Sequence, residues 1–348
     1  MTAKSGGLTV AVTGPTGAIG KALMRCLQKE DAVERVVGMA RRPFDPLEHG
    51  WTKVEYRRGD ILDDVSVKGL VAGADVVVHL AFLIFGSHDE TARVNLEGSR
   101  NVFLAAMNEG AERLIYTSSV AAYGFHDDNP ELLHEDIPPR GSDEHYYSAQ
   151  KAELEATLLE MTAKTATDVF VFRPCIVAGP TATELIENIP YVQLGEKLPD
   201  PVRSLMGTIP LLRPVIPDPG VPFQLVHEDD VARALTAAIL GGRVPGTYNL
   251  AADGEITLSD LAHALGWYAM PIPELAVDLT ARIVSRIPLM PARASWISAL
   301  SVPVLMDTGK AKMNLGWEPE HDAFDTLAQT IQSARDQGLV SVGRPATA

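Results

Sequence analysis

Along the first half of this chain, short runs of β-branched and other apolar residues alternate with segments whose apolar positions recur every three or four residues. Residues 8–13, 33–40, 53–57, 75–80, 113–118 and 168–173 read as strands. Between them, 18–30, about 65–72, 90–109 and 144–163 carry helical spacing. The run DVVVHL at 75–80 is apolar at successive positions, as in a strand buried on both faces. Strands joined by crossover helices predict an α/β fold built on a doubly wound parallel sheet.

The pattern changes after Arg173-Pro174. Residues 180–222 are rich in proline and are expected to form loops and short helices rather than sheet. A clean amphipathic helix returns at 228–240, with acidic residues in its first turn, and 247–250 reads as a last strand. From about 255 the reading is helical and mixed, ending in a polar tail at 341–348.

Composition narrows the function classes. The 348 residues, 46% hydrophobic and 22% charged, suit one large or two ordinary packed domains. Thirty Lys and Arg against forty-five Asp and Glu leave a net charge of −15, which opposes nucleic acid or an anionic membrane as partner. The apolar stretch 74–85 is too short to span a bilayer, and 282–305 is interrupted by three arginines and several prolines. With no apolar leader at the start and only Cys26 and Cys175, the expected setting is a reducing cytoplasm. Neither the cysteines nor the nine histidines show metal-site spacing, so no metal is expected.

The first strand runs into TGPTGAIG at 13–20 and then a helix. Glycines at 14, 17 and 20 permit a tight turn, close approach of backbone to a pyrophosphate, and close packing of helix on strand. The strand 33–40 leads into Arg41-Arg42 and has no carboxylate at its tip. Two guanidinium groups there suit the 2′-phosphate of NADP better than the free ribose hydroxyls of NAD, which remains the alternative. Asp60 follows the third strand and could accept from the adenine amino group, or simply shape the turn before Asp63. This divides the chain into a dinucleotide-binding part, 1–178 and 223–252, and a smaller, discontinuous, mainly helical substrate part, 179–222 and 253–340.

Candidate chemistry lies on the helix at 144–163. Tyr147 and Lys151, four residues apart, share one helical face, whereas Tyr146 points elsewhere. An ammonium beside a phenol favours the phenolate, so Tyr147 is expected to have a lowered pKa and to exchange a proton with a substrate carbonyl or hydroxyl. Thr117, Ser118 and Ser119 end the fifth strand, on the side where a doubly wound sheet binds its ligand.

The motifs TGPTGAIG, RGDIL, HLA at 79–81, VNLEGSRNV, TSSVAAYG, YSAQK, RPCIVAGP and VHEDDVARA occur in the order found in extended short-chain dehydrogenases/reductases. The chain therefore resembles that group, the NAD(P)-dependent epimerase/dehydratase family, over nearly its whole length. The resemblance implies a Rossmann-type sheet and a Ser–Tyr–Lys set. Ser119 would orient the substrate oxygen, Tyr147 would be the acid-base, and Lys151 would lower the Tyr147 pKa and hold the nicotinamide ribose. It also implies cofactor contacts from Gly14, Thr16, Gly17, Ala18, Ile19, Ile61, Leu80, Ala81, Asn95, Thr117 and Pro174. A small-molecule substrate and a homodimer through the helices at 90–109 and 144–163 are further implications. Two departures bear on substrate: Arg173-Pro174-Cys175-Ile176 replaces the Arg-Tyr-Phe-Asn run of sugar-nucleotide epimerases, and Val120-Ala121 replaces the Asp-Glu pair of dehydratases. With the apolar 180–222 and 282–305 stretches, they favour ketone/alcohol redox chemistry on a less polar ligand. Epimerisation and a non-catalytic NADP sensor are the alternatives.

Overall fold

The computed structural model describes residues 6–195, 213–272 and 302–340. Seven strands form one parallel sheet: β1 (Leu8–Thr13), β2 (Val33–Ala40), β3 (Val54–Arg58), β4 (Val76–His79), β5 (Arg113–Thr117), β6 (Asp168–Pro174) and, after the short strands introduced below, β10 (Gly246–Leu250). Their order is β10-β6-β5-β4-β1-β2-β3, with every neighbouring pair parallel. The chain leaves β1 toward β2 on one side and later returns to lay β4 on the other. That reversal opens a crevice at the carboxyl ends of β1 and β4, where ligands of such sheets bind.

The uninterrupted apolar runs follow from burial on both faces. Val10, Val12, Val76 and Val78 point to one side, against α1 (Ala18–Leu27) and the helix Glu228–Leu240. Their neighbours Ala11, Val37, Val77 and Leu114 point to the other, against α2 (Asp64–Val71), α4 (Gly98–Asn108) and α5 (Tyr146–Thr162).

The helix expected over 90–109 is broken in two. A short α3 (His88–Ala92) passes through a π-helical turn, Arg93–Glu97, before α4 begins. The sheet-free reading of 180–222 is also corrected. On the two flanks of that stretch β7 (Ile176–Ala178) pairs with β9 (Leu225–His227), and within it β8 (Val215–Asp218) pairs with β11 (Tyr268–Pro271), the latter in a region read as helical. Prolines at 217 and 271 disguise those strands, and two-stranded ribbons tolerate them because each strand has a free edge. Ile216, Phe223, Leu225, Ile256, Leu261 and Leu327 close a separate apolar cluster over this region. Part of the 180–222 stretch, most of 282–305 and the 341–348 tail lie outside the described residues. Among the described residues no helix is long and apolar enough to cross a membrane.

Candidate active site

The turn after β1 divides its three glycines by task. Gly14 has φ +73, and a Cβ there would lie 2.9 Å from the Ala81 amide nitrogen. At Gly20 a Cβ would lie 2.3 Å from the Gly14 carbonyl oxygen, so α1 can sit this close to the turn only with glycine. Gly17 is different: it is exposed, and a Cβ would meet nothing nearer than 3.7 Å. No contact within the protein requires glycine there. Gly17 is also the N-cap of α1, with no side-chain cap and no acidic residue in the first turn, so the amides of Ala18 and Ile19 and the positive end of the helix are unmasked. A bare Cα over unmasked amides, with Thr16 half-buried beside them, fits a pyrophosphate.

The facing wall is set by a buried relay. Thr13 Oγ1 accepts from the amides of Leu80 and Ala81, each at 3.2 Å, and lies 2.7 Å from His79 Nδ1. With its lone pairs so used, the Thr13 hydroxyl donates to Nδ1, and His79 Nε2 carries the proton toward Ser99 Oγ at 2.8 Å. Burial, then the nearby Lys151 charge, lowers the His79 pKa to about 3, so the ring stays neutral. His79 thus holds Leu80 and Ala81 against the glycine turn, a role the HLA motif alone does not disclose.

At the tip of β2, the Gly14 amide donates to the Met39 carbonyl at 3.0 Å, which places Arg41 and Arg42 beside the cradle. Both side chains are exposed, and among the described residues neither joins an ion pair. Arg58, at the end of β3, donates through Nε to the Arg41 carbonyl at 3.0 Å and adds a third cation. Asp60 shapes its turn, accepting the Leu62 amide at 3.0 Å, and Asp63 caps α2. Ile61 is buried against Gly98.

Ser119, Tyr147 and Lys151 come together at the carboxyl end of β5. The Tyr147 side chain is half-buried and lies within reach of Ser119, whose Oγ accepts the Ala121 amide at 3.2 Å. Ser118 turns the other way and donates to Glu155, while the buried Thr117 Oγ1 has no hydrogen-bond partner among the described residues. Of the three hydroxyls, the geometry therefore aims Ser119 at Tyr147. Tyr146 donates to the Ile84 carbonyl at 2.6 Å, away from this group.

Lys151 is buried and donates to the Thr117 carbonyl at 2.8 Å. Its Nζ lies 3.8 Å from the centroid of the Phe82 ring and 5.8 Å from that of Tyr147. Phe82 meets Tyr147 edge-on at 5.3 Å. Burial lowers the Lys151 pKa to about 7, opposed by the Glu155 charge. Burial likewise raises the Tyr147 pKa above its ordinary value, and the Ser119 hydroxyl only partly opposes this. This corrects the expectation of a lowered Tyr147 pKa: desolvation dominates, and with its own pKa lowered to about 7 Lys151 has lost its charge before a phenol of raised pKa ionises.

The lysine should leave a mark on stability. Unfolded lysine keeps its proton to about pH 10, and Lys151 in the fold only to about pH 7. Between these values the unfolded chain binds more protons, so stability rises with pH; below both, the full cost of burying the charge is present. From about pH 7 to 9, urea unfolding should show wild-type stability gaining on Lys151→Met by up to about 1.4 kcal/mol per pH unit. Parallel profiles would contradict the buried charge.

Asn95 sits in the π turn, fully buried. Its Oδ1 accepts the Leu83 amide at 2.8 Å, and its Nδ2 donates to the Leu83 carbonyl at 3.0 Å and to Gln150 Oε1 at 2.8 Å. It ties the loop after β4 to α5 beside Lys151, with its hydrogen-bonding groups used inside the protein. Pro174 ends β6, buried, in register with Leu250. Phe82, Gln150, Glu155 and Arg173 received no role from the sequence, although Gln150 and Arg173 lie inside the quoted YSAQK and RPCIVAGP motifs. Glu155 had a signal in its spacing, one further turn along the face shared by Tyr147 and Lys151.

The pattern of the NAD dependent epimerase/dehydratase family matches residues 10–251. An uncharacterised protein of Sinorhizobium fredii is 25% identical over 333 residues, covering 92% of this chain and 77% of that protein. A protein of Arabidopsis thaliana named 3beta-hydroxysteroid-dehydrogenase/decarboxylase isoform 1 is 27% identical over 311 residues, covering 81% of this chain and 67% of that protein. The chain spans 31% of the length of one group of matched mycobacterial proteins and 82% of another. Among solved structures, the UDP-glucuronic acid 4-epimerase of Bacillus cereus in complex with NAD has a TM-score of 0.70 at 18% identity, covering 95% of this chain and 99% of that one. At that identity the likeness concerns the fold.

Proposed function

The chain belongs to the NAD dependent epimerase/dehydratase family and is an NAD(P)-dependent enzyme, and from that premise we propose an oxidoreductase that uses NADP to interconvert a ketone and an alcohol of low polarity. The observation that carries this reading is the convergence of Ser119, Tyr147 and Lys151, with the Lys151 Nζ 5.8 Å from the Tyr147 ring centroid and one helical turn away, beside a dinucleotide cradle.

Nicotinamide supplies the hydride acceptor or donor when bound. Ser119 orients the substrate oxygen. In reduction, the carbonyl carbon gains hydride as its oxygen takes the Tyr147 proton; in oxidation, both return. Because burial keeps Tyr147 protonated, it starts as the acid for reduction, while oxidation needs the phenol to lose its proton first. Lys151 would hold the ribose hydroxyls of a bound cofactor and, when charged, steady the negative charge that Tyr147 gains on releasing its proton.

Support for a less polar ligand comes from the loop after β4, where Phe82, Leu83, Ile84 and Phe85 follow one another and Phe82 walls one side of Tyr147. The Arabidopsis relative's name points the same way, since a steroid hydroxyl sits on an apolar skeleton. Residues 179–222 and 253–340 would complete the substrate pocket, and α4 and α5 would carry a homodimer contact.

Preference for NADP over NAD rests on Arg41, Arg42 and Arg58. Titrating NADPH and NADH into wild type and Arg41→Ala should weaken NADPH about 10–100-fold, as expected for losing one charge-assisted contact, and NADH less than about 2-fold. Equal losses would remove the phosphate role. With substrate, a net change in nicotinamide absorbance identifies redox turnover, whereas product formed at constant absorbance identifies epimerisation.

A further inference from the structure

Tyr147 and Lys151 leave one more position on their face of α5, and Glu155 fills it. Its carboxylate is almost fully buried and is gripped by Arg173, whose Nε lies 3.0 Å from Oε1 and 3.2 Å from Oε2 and whose second nitrogen lies 2.6 Å from Oε2. Ser118 Oγ donates to Oε1. Arg173, equally buried at the end of β6, lies over the Tyr123 ring with Cζ 4.3 Å from its centroid. A buried pair like this is costly to desolvate and could often be replaced by apolar side chains without loss of stability, so its position beside Lys151 invites a functional account.

Among the described residues, the titratable side chains around Lys151 are His79, Tyr116, Tyr147 and Glu155. His79 is neutral, and burial holds both tyrosines in their protonated forms. Glu155 is the carboxylate whose field reaches Lys151. Phe82 and the Thr117 carbonyl also touch Lys151 and carry no formal charge.

We propose that the Arg173–Glu155 pair is a positioning device for the site: Arg173 anchors a buried carboxylate that keeps Lys151 charged, and Glu155 in turn draws Ser118 inward, leaving Ser119 to face Tyr147. The functional half of this inference rests on the role given to Lys151 above, but the coupling does not. The partial offset of the Lys151 burial effect by Glu155 agrees with it.

The test is the protonation midpoint of Lys151, read by NMR in protein carrying 13C-labelled lysine, with the resonance assigned through Lys151→Arg. In Glu155→Gln the midpoint should fall by about one to two pH units, the size expected for losing an opposite charge at this separation. The alkaline limb of the rate profile should move down with it. Glu155→Gln strands the Arg173 cation, so Glu155→Gln/Arg173→Gln serves as the second variant; it keeps hydrogen-bonding groups at both positions and removes both charges. A folded variant of either kind with the wild-type midpoint would overturn the proposal. The spectrum needs neither substrate nor cofactor, so a shifted midpoint with unaltered turnover would uphold the coupling and count only against the catalytic role of Lys151.

Discussion

Tyr147→Phe should lower turnover about 10²–10⁴-fold, the range supplied by a positioned acid-base group, while cofactor affinity changes less than about 2-fold. The substitution removes one oxygen and keeps the ring, so the edge contact with Phe82 survives and the pocket keeps its shape. What is lost is the proton that the substrate oxygen would receive. Stopped-flow measurement of hydride transfer, paired with a fluorescence titration of the reduced cofactor, separates the two effects. Turnover within about 3-fold of wild type would remove Tyr147 as the acid-base group. Since burial raises the Tyr147 pKa, wild-type oxidation should accelerate as pH rises above neutrality, and reduction should not.

The second large effect separates two glycines three residues apart. Gly20→Ala places a methyl 2.3 Å from the Gly14 carbonyl oxygen and 2.7 Å from the Pro15 carbonyl carbon. Neither is a flexible side chain, so α1 must move away from the turn. A loss of about 1–3 kcal/mol or more is expected in chemical denaturation, as for overpacked cores, together with weak cofactor binding. Gly17→Ala meets no atom within 3.7 Å and should leave stability within about 0.5 kcal/mol. Its methyl would stand in the space assigned to the pyrophosphate, so cofactor affinity should still fall at least about 10-fold, equivalent to about 1.4 kcal/mol. If Gly17→Ala binds NADPH as wild type does, the cradle has been assigned to the wrong amides.

Much of this site is legible in the amino-acid order because its parts depend on local chain geometry. The glycine turn, the strand tip at Arg41-Arg42 and the Tyr147–Lys151 face are each set within a few residues, by backbone freedom or by helical periodicity. The seventh strand is visible in the same way, at 247–250. Short strands β8 and β11 are not, because each exists through its pairing with a partner some fifty positions away and carries prolines that read as breaks. The π turn is hidden for a related reason: it keeps a helical apolar pattern while rotating Asn95 into the interior, where Leu83 and Gln150 meet it.

The sequence by itself determined the architecture, the type of cofactor cradle and the helix that bears the candidate chemistry, since apolar periodicity and glycine placement act over short distances. Tertiary structure decided which of three adjacent hydroxyls faces Tyr147, how Thr13 and His79 fix Leu80 and Ala81 beside the glycine turn, and that Glu155 and Arg173 lie buried together beside Lys151. It also reversed the expected direction of the Tyr147 pKa. Those outcomes depend on desolvation and on contacts between distant segments, and water is excluded from a side chain only once the whole fold has closed around it.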